Sequence, residues 1–315
     1  MRRLTTRRPL LLLRELPLLA LMGLLVIASI SAAANEPEHR LRDQYQGKVF
    51  VLRGFYTGDR LRYDSAGAPG DARSGDWTTD GFVLLSDIHI SDLRLRIKAK
   101  RLSIGLGQKG TFEFLADNPK AQKKAPPLQI EVELPQMNPS VAQVDAILSK
   151  IFLAAQDSFA ELVPDYWKPC IPDGLSGKVS KCFFSPEFSA IPGFASPASS
   201  ESASDQTGAR DQNVLRQADY RRGSGNSPPR IILQHEPEFS DPARLAKYQG
   251  TVTLGLVISQ EGLPTNIHIL SPLGCGLDAK AVQAVEGWRF KPAEKQGQPM
   301  AAEAEIAVEV DFHLY

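Results

Sequence analysis

Residues 302–314 read AEAEIAVEVDFHL. Ile306, Val308, Val310, Phe312 and Leu314 fall on one side, and Glu305, Ala307, Glu309, Asp311 and His313 on the other. Period two with one apolar row specifies a half-buried strand. Further back, TVTLGLVI at 251–258 sets Val252, Leu254, Leu256 and Ile258 on one face. SQEGLP follows as a turn, with Gly262 available for a positive φ. The next strand, 265–270, points Ile267 and Ile269 inward. SPLGCG breaks the chain, and Leu277, Ala281, Val285 and Trp288 then mark one face of a short helix. The expected arrangement is β-β-α-β, three strands covered on one face by one helix.

The words PEFSDPARL, YQGTVTLGLVISQEG, SPLGCGLDAKAVQAV and GWRFKPAEKQGQP precede the final strand in that order. Together they resemble the TonB family C-terminal domain over about residues 228–315, with Trp288, Arg289, Phe290 and Pro292 in the place of its WRF-x-P signature. The resemblance implies a last strand with an open edge, to which a partner peptide adds as another strand. The implied partner is a TonB-dependent outer-membrane transporter, bound by residues Glu305 to Phe312 and flanked by Glu236, Pro237, Glu238 and Phe239. It also implies inner-membrane ion-driven motor proteins as partners, and a homodimer as one assembly. The family's motor contact uses a His in the membrane helix, and residues 16–34 hold Ser29 and Ser31 but no His. The family's Gln-Pro-x-Tyr-Pro stretch reads here Glu236-Pro237-Glu238-Phe239-Ser240. The binding half of the family's function therefore carries over better than the energy-coupling half. Val308→Pro is the natural test of strand addition, provided the Val308 donor faces the partner.

The other end of the chain is an address. Arg2, Arg3, Arg7, Arg8 and Arg14 precede an uncharged stretch, residues 16–34. As a helix it spans roughly 28 Å, close to the hydrocarbon core of a bilayer. Basic before and apolar after places the N-terminus inside. Ala32-Ala33-Ala34 followed by NEPEHR suits cleavage as a signal peptide; uncut, the same residues anchor the chain in the inner membrane. Either outcome puts the remainder in the periplasm. There Cys170 and Cys182 are suited to a disulfide, the alternative being two buried thiols.

Between these ends, LRLRIK at 93–98 alternates strictly, and KVFVLRGFY (48–56), 112–115 and 128–134 add further strands. Residues 41–135 are expected to form a small antiparallel sandwich or barrel, within a mainly β domain at 35–160 that carries one helix. Ser140 and Gln143 predict a capping box for that helix. A loop-rich segment at 161–184 holds Cys170 and Cys182, and 185–227, rich in Ser, Ala, Pro and Gly, is expected to be a flexible linker. The fold class is thus α+β: an exported chain with an all-β N-terminal domain and a small β-β-α-β C-terminal domain.

The 315 residues carry 36 Lys+Arg and 36 Asp+Glu, so no net charge draws the chain to nucleic acid. Three cysteines without CxxC spacing argue against structural zinc. No nucleophile–base, metal or phosphate motif appears, so no enzyme, cofactor, metal or catalytic residue is expected. Arg94, Arg96, Lys98 and Lys100, with Arg101 beside them, form a basic strand face; Asp87 and His89 share one side of a strand and are too few for a metal. His235, His268 and His313 are expected at the surface, and Trp77 in a core or turn. Two functions follow. One is a TonB-like transducer or periplasmic adaptor. The other is an envelope polymer- or ligand-binding protein that uses its C-terminal module as an assembly contact.

Overall fold

The structure is a computed structural model and describes residues 37–107, 110–115, 126–171, 183–194, 226–300 and 306–314. Residues 1–34, Cys182, Glu305 and 195–225 of the expected linker lie outside the described residues.

The N-terminal half opens with a helix at residues 37–45, which buries Leu41 and Tyr45. Its strands are β1 (Val49–Val51), β2 (Arg60–Tyr63), β3 (Phe82–Ser91), β4 (Arg94–Leu102), β5 (Ile104–Leu106), β6 (Thr111–Phe114), β7 (Pro127–Glu133) and β8 (Phe183–Phe184). Five of them form one sheet in the order β1-β3-β4-β7-β2, with β2 parallel to β7. This is neither a sandwich nor a barrel. The strands have only one apolar face, as the alternating burial of β4 shows, and helices cover it instead of a second sheet. Helix Val141–Ile151 lies there, burying Val144, Ile147, Leu148 and Ile151 against Leu61, Leu85, Ile97 and Ile130. Its capping box forms, with Ser140 Oγ accepting the Gln143 N–H and Gln143 accepting the Ser140 N–H. The expected strand 48–56 stops at Val51, because Gly54 takes φ 75° and closes a 3₁₀ turn over Arg53–Phe55. Arg101 leaves the basic face for the interior. Its guanidinium donates to the carbonyls of Asp80, Tyr56 and Gly58 and pairs with Asp80 at 3.4 Å.

The C-terminal half contains β9 (Asn226–Ser227), β10 (Arg230–Leu233), β11 (Gly250–Ile258), β12 (Pro264–Ser271), β13 (Arg289–Lys291), β14 (Ala293–Lys295), β15 (Gln298–Met300) and β16 (Ile306–Phe312). The central sheet runs β12-β11-β16, all antiparallel, and helix Leu277–Glu286 packs on it. Buried Val252, Leu254, Leu256, Val308, Val310 and Phe312 face that helix through Leu277, Ala281 and Val285. Gly262 closes the β11–β12 turn at φ 77°. A Cβ there would lie 2.0 Å from the Phe290 carbonyl oxygen, so the position admits only glycine.

The two halves share one core. Trp77, Phe82, Phe112, Trp167 and Phe188 belong to the same apolar cluster as Leu254, Leu277, Trp288 and Phe312. Phe188, Ile191 and Phe194, inside the stretch assigned to the linker, are buried in it. Backbone seals the join. Gly105 and Gly274 form an antiparallel bridge, the Leu106 N–H donates to Leu273 O at 3.0 Å, and the Cys275 N–H donates to Ile104 O at 2.6 Å. The Tyr248 hydroxyl accepts the Leu106 N–H at 2.9 Å. Thr78 Oγ1 accepts the Gly276 N–H at 2.7 Å. Gly274 sits so close that a Cβ would come within 2.7 Å of Ile104 O. β12 also packs against the turn Asp165–Trp167. Cys170 is disulfide-bonded and Cys275 is a buried free thiol.

Candidate functional site

The site is the outer edge of β16, and its usable donors follow from the neighbouring register. β11 pairs with β12 through Val257↔Thr265 and Ile258↔Pro264. Pro264 has no N–H, so Ile258 does not exchange hydrogen bonds with it, whereas the Ser259 N–H donates to Leu263 O at 2.9 Å. Odd-numbered residues of β11 therefore face β12, and even-numbered ones face β16. The pairs Val252↔Val310 and Leu254↔Val308 run without a register shift. Val308, Val310 and Phe312 thus turn their backbone groups inward, and the Leu314 N–H, on the same side, donates to Gln249 Oε1 at 3.2 Å. Ala307, Glu309 and Asp311 turn theirs outward, and no strand among the described residues pairs with them. This corrects the choice of Val308→Pro, which would break the sheet itself; the open donors belong to the odd positions.

The segment 234–240 has no regular structure, yet it is fastened throughout. The Trp288 indole N–H donates to His235 O at 2.9 Å. Lys280 Nζ meets Glu238 Oε2 at 2.8 Å and holds that carboxyl below its ordinary range. Ser240 caps helix Asp241–Ala246, and its hydroxyl donates to Cys275 O at 2.5 Å. The Phe239 ring meets Phe312 edge-on, with centroids 5.5 Å apart. The structure thus joins Phe239 to the end of β16. Glu236 and Glu238 are exposed, and Pro237 lies between them. Ile306 is half-buried, Ala307, Glu309 and Asp311 are exposed, and Val308, Val310 and Phe312 are buried. Sequence reasoning missed the fasteners Trp288, Lys280 and Gln249, and Thr251, whose hydroxyl donates to Asp311 Oδ1 at 2.6 Å. Only Trp288 left a signal, as part of the WRF word.

The remaining candidates resolve into surface pairs. Asp87 lies 3.5 Å from Lys98 and 3.8 Å from Arg42, and His89 lies 3.1 Å from Glu38. Among the described residues no group of three His, Cys, Asp or Glu side chains is placed to hold a metal.

The family model for the C-terminal domain of the Gram-negative bacterial TonB protein matches residues 235–314. The solution NMR structure of the Pseudomonas aeruginosa TonB CTD is similar over 28% of this chain and 88% of that one, at 20% identity and a TM-score of 0.22. No curated protein matches the chain. The matched segment begins at His235, takes in the fastened segment and both long strands, and ends just past β16; residues 235–314 are a TonB-family C-terminal domain.

Proposed function

We propose that this protein is a TonB-like envelope protein that binds an extended segment of an outer-membrane transporter along β16. The observation that carries it is the outward row Ala307, Glu309 and Asp311 at the edge of a TonB-family domain. Strand addition draws its affinity from main-chain hydrogen bonds, so it needs an open edge rather than a pocket. Binding, not catalysis, is the role assigned.

Glu309→Pro removes one outward donor and leaves the β11 pairing intact, a position where an edge strand tolerates proline. Binding of a transporter N-terminal peptide is expected to weaken at least about tenfold, the loss of one or two hydrogen bonds at the edge. Unchanged affinity, with a native circular dichroism spectrum, would overturn strand addition at this edge.

Whether the protein is an inner-membrane transducer working with ion-driven motor proteins, or a periplasmic adaptor, depends on residues 16–34. Among the described residues no helix is long and apolar enough to cross a membrane. Intact mass of the protein from fractionated cells separates the two. A chain retaining Met1 in the inner-membrane fraction is the transducer; a soluble chain beginning near Asn35 is the adaptor.

A second reading, an envelope polymer-binding protein, draws support from Arg94, Arg96 and Lys100. All three are exposed on the open face of the N-terminal sheet and have no ion-pair partner among the described residues. Reversing the charge of the exposed Arg94 and Arg96 to Glu separates the readings, since the second requires polymer binding to fail while peptide binding at β16 persists.

A further inference from the structure

We infer that the segment β16 receives carries Lys or Arg at two alternate positions, opposite Glu309 and Asp311. The inference rests on the strand-addition reading and names the chemistry of its partner. Both carboxylates stand on the solvent face of the sheet, opposite helix Leu277–Glu286, whereas Val308, Val310 and Phe312 fill the other face. Two residues apart on a strand, they sit about 7 Å from one another in one row. Neither has an ion-pair partner among the described residues; Asp311 is oriented by the Thr251 hydroxyl at 2.6 Å. Along this row β11 offers only Thr251, Thr253 and Gly255 beside β16, with no cation to neutralise it.

An added strand would lie about 4.8 Å away, with its side chains alternating between the same two faces. On the solvent face its residues come directly opposite Glu309 and Asp311, at Cβ separations of about 4.5–5.5 Å. Opposite charge there is favourable, and like charge is unfavourable by a similar amount. On the other face its residues extend the apolar row of Val308, Val310 and Phe312, whose end is closed by the Phe239 ring. The segment therefore alternates apolar and basic residues. An acidic segment is rejected by the same two carboxylates that attract a basic one.

The test uses the full chain and three dye-labelled seven-residue peptides that alternate valine with lysine, threonine or glutamate. At low salt the lysine peptide is expected to bind about tenfold tighter than the threonine peptide, as two exposed cross-strand ion pairs allow. The glutamate peptide should bind weakest, and the differences should shrink at high salt. The double variant Glu309→Lys, Asp311→Lys, substituted at exposed positions, should reverse the order. Three equal affinities that Glu309→Pro abolishes would overturn the inference and leave strand addition standing. An order that survives the charge reversal also overturns it, because the discrimination then lies elsewhere. If none of the peptides binds, strand addition fails and the inference falls with it.

Discussion

Replacing Trp77 by alanine is expected to cost about 3–5 kcal/mol and to loosen both halves of the protein at once. Trp77 is fully buried, and its ring meets Phe82, Phe112, Phe159 and Trp167 edge-on at 4.9–6.2 Å. Its indole N–H has no acceptor among the described residues, so the loss is one of packing. The adjacent Thr78 accepts the Gly276 N–H, and so ties this aromatic cluster to the loop before helix Leu277–Glu286. Cys275 lies in that loop, fully buried with a free thiol pushed up to about 12 by burial. Its alkylation therefore reports opening of the C-terminal half. In the variant, Cys275 should become reactive at the same denaturant concentration at which the circular dichroism of the whole chain is lost. A Cys275 that stays protected while the rest unfolds would show that the halves are independent.

Asp278 gives the second large effect, through pH. It is fully buried, and its carboxylate accepts the N–H groups of Leu273, at 2.8 Å, and of Gly274. Burial pushes its pKa up to about 8, the charge of Asp76 adding to the rise while the backbone bonds oppose it. Asp76, half-buried with one carboxylate oxygen enclosed, is pushed up to about 6, again chiefly by burial. Both folded values exceed the unfolded one, so the folded state binds more protons between about pH 4 and pH 8. The stability these groups contribute is complete below that window and lost as pH rises through it. Asp278→Asn cannot titrate. Its unfolding free energy in urea should fall less than that of the wild type between pH 5 and pH 8, by a difference on the order of a few kcal/mol. It also loses one acceptor for two N–H groups, a constant offset of about 1–3 kcal/mol at every pH. Parallel profiles for the two proteins would exclude Asp278 as the source.

The C-terminal module was legible because its signals are local. The alternation of 302–314, the turn glycine at 262 and the spacing of Leu277, Ala281 and Val285 each name an element without knowledge of its neighbours. The capping box of Ser140 and Gln143 was legible for the same reason. What escaped was pairing between distant segments. β2 lies parallel to β7, which no local period encodes. The helix at 37–45 buries only Leu41 and Tyr45, too few positions to establish a period. Phe188, Ile191 and Phe194 sit in a stretch whose Ser, Pro and Ala content resembles a linker, yet they fill a core supplied by other segments. At the site, the strand and its apolar row were readable, but the direction of each N–H was not. That depended on Pro264 and Ser259, which set the phase of β11.

The Thr78–Gly276 hydrogen bond joins residues 198 positions apart. A ribosome working at 5–20 residues per second takes roughly 10–40 s to travel that distance. At the end of that interval Trp77, Phe82 and Phe112 have long been made, but helix Leu277–Glu286 and β16, which complete their cluster, have not. Contacts of such separation also slow folding once the chain is finished, since closing the long loop precedes any return from it. The protein therefore passes a long part of its birth with a sticky aromatic face uncovered. A nascent chain arrested before residue 276 should be a client for holding chaperones, and the complete chain should not.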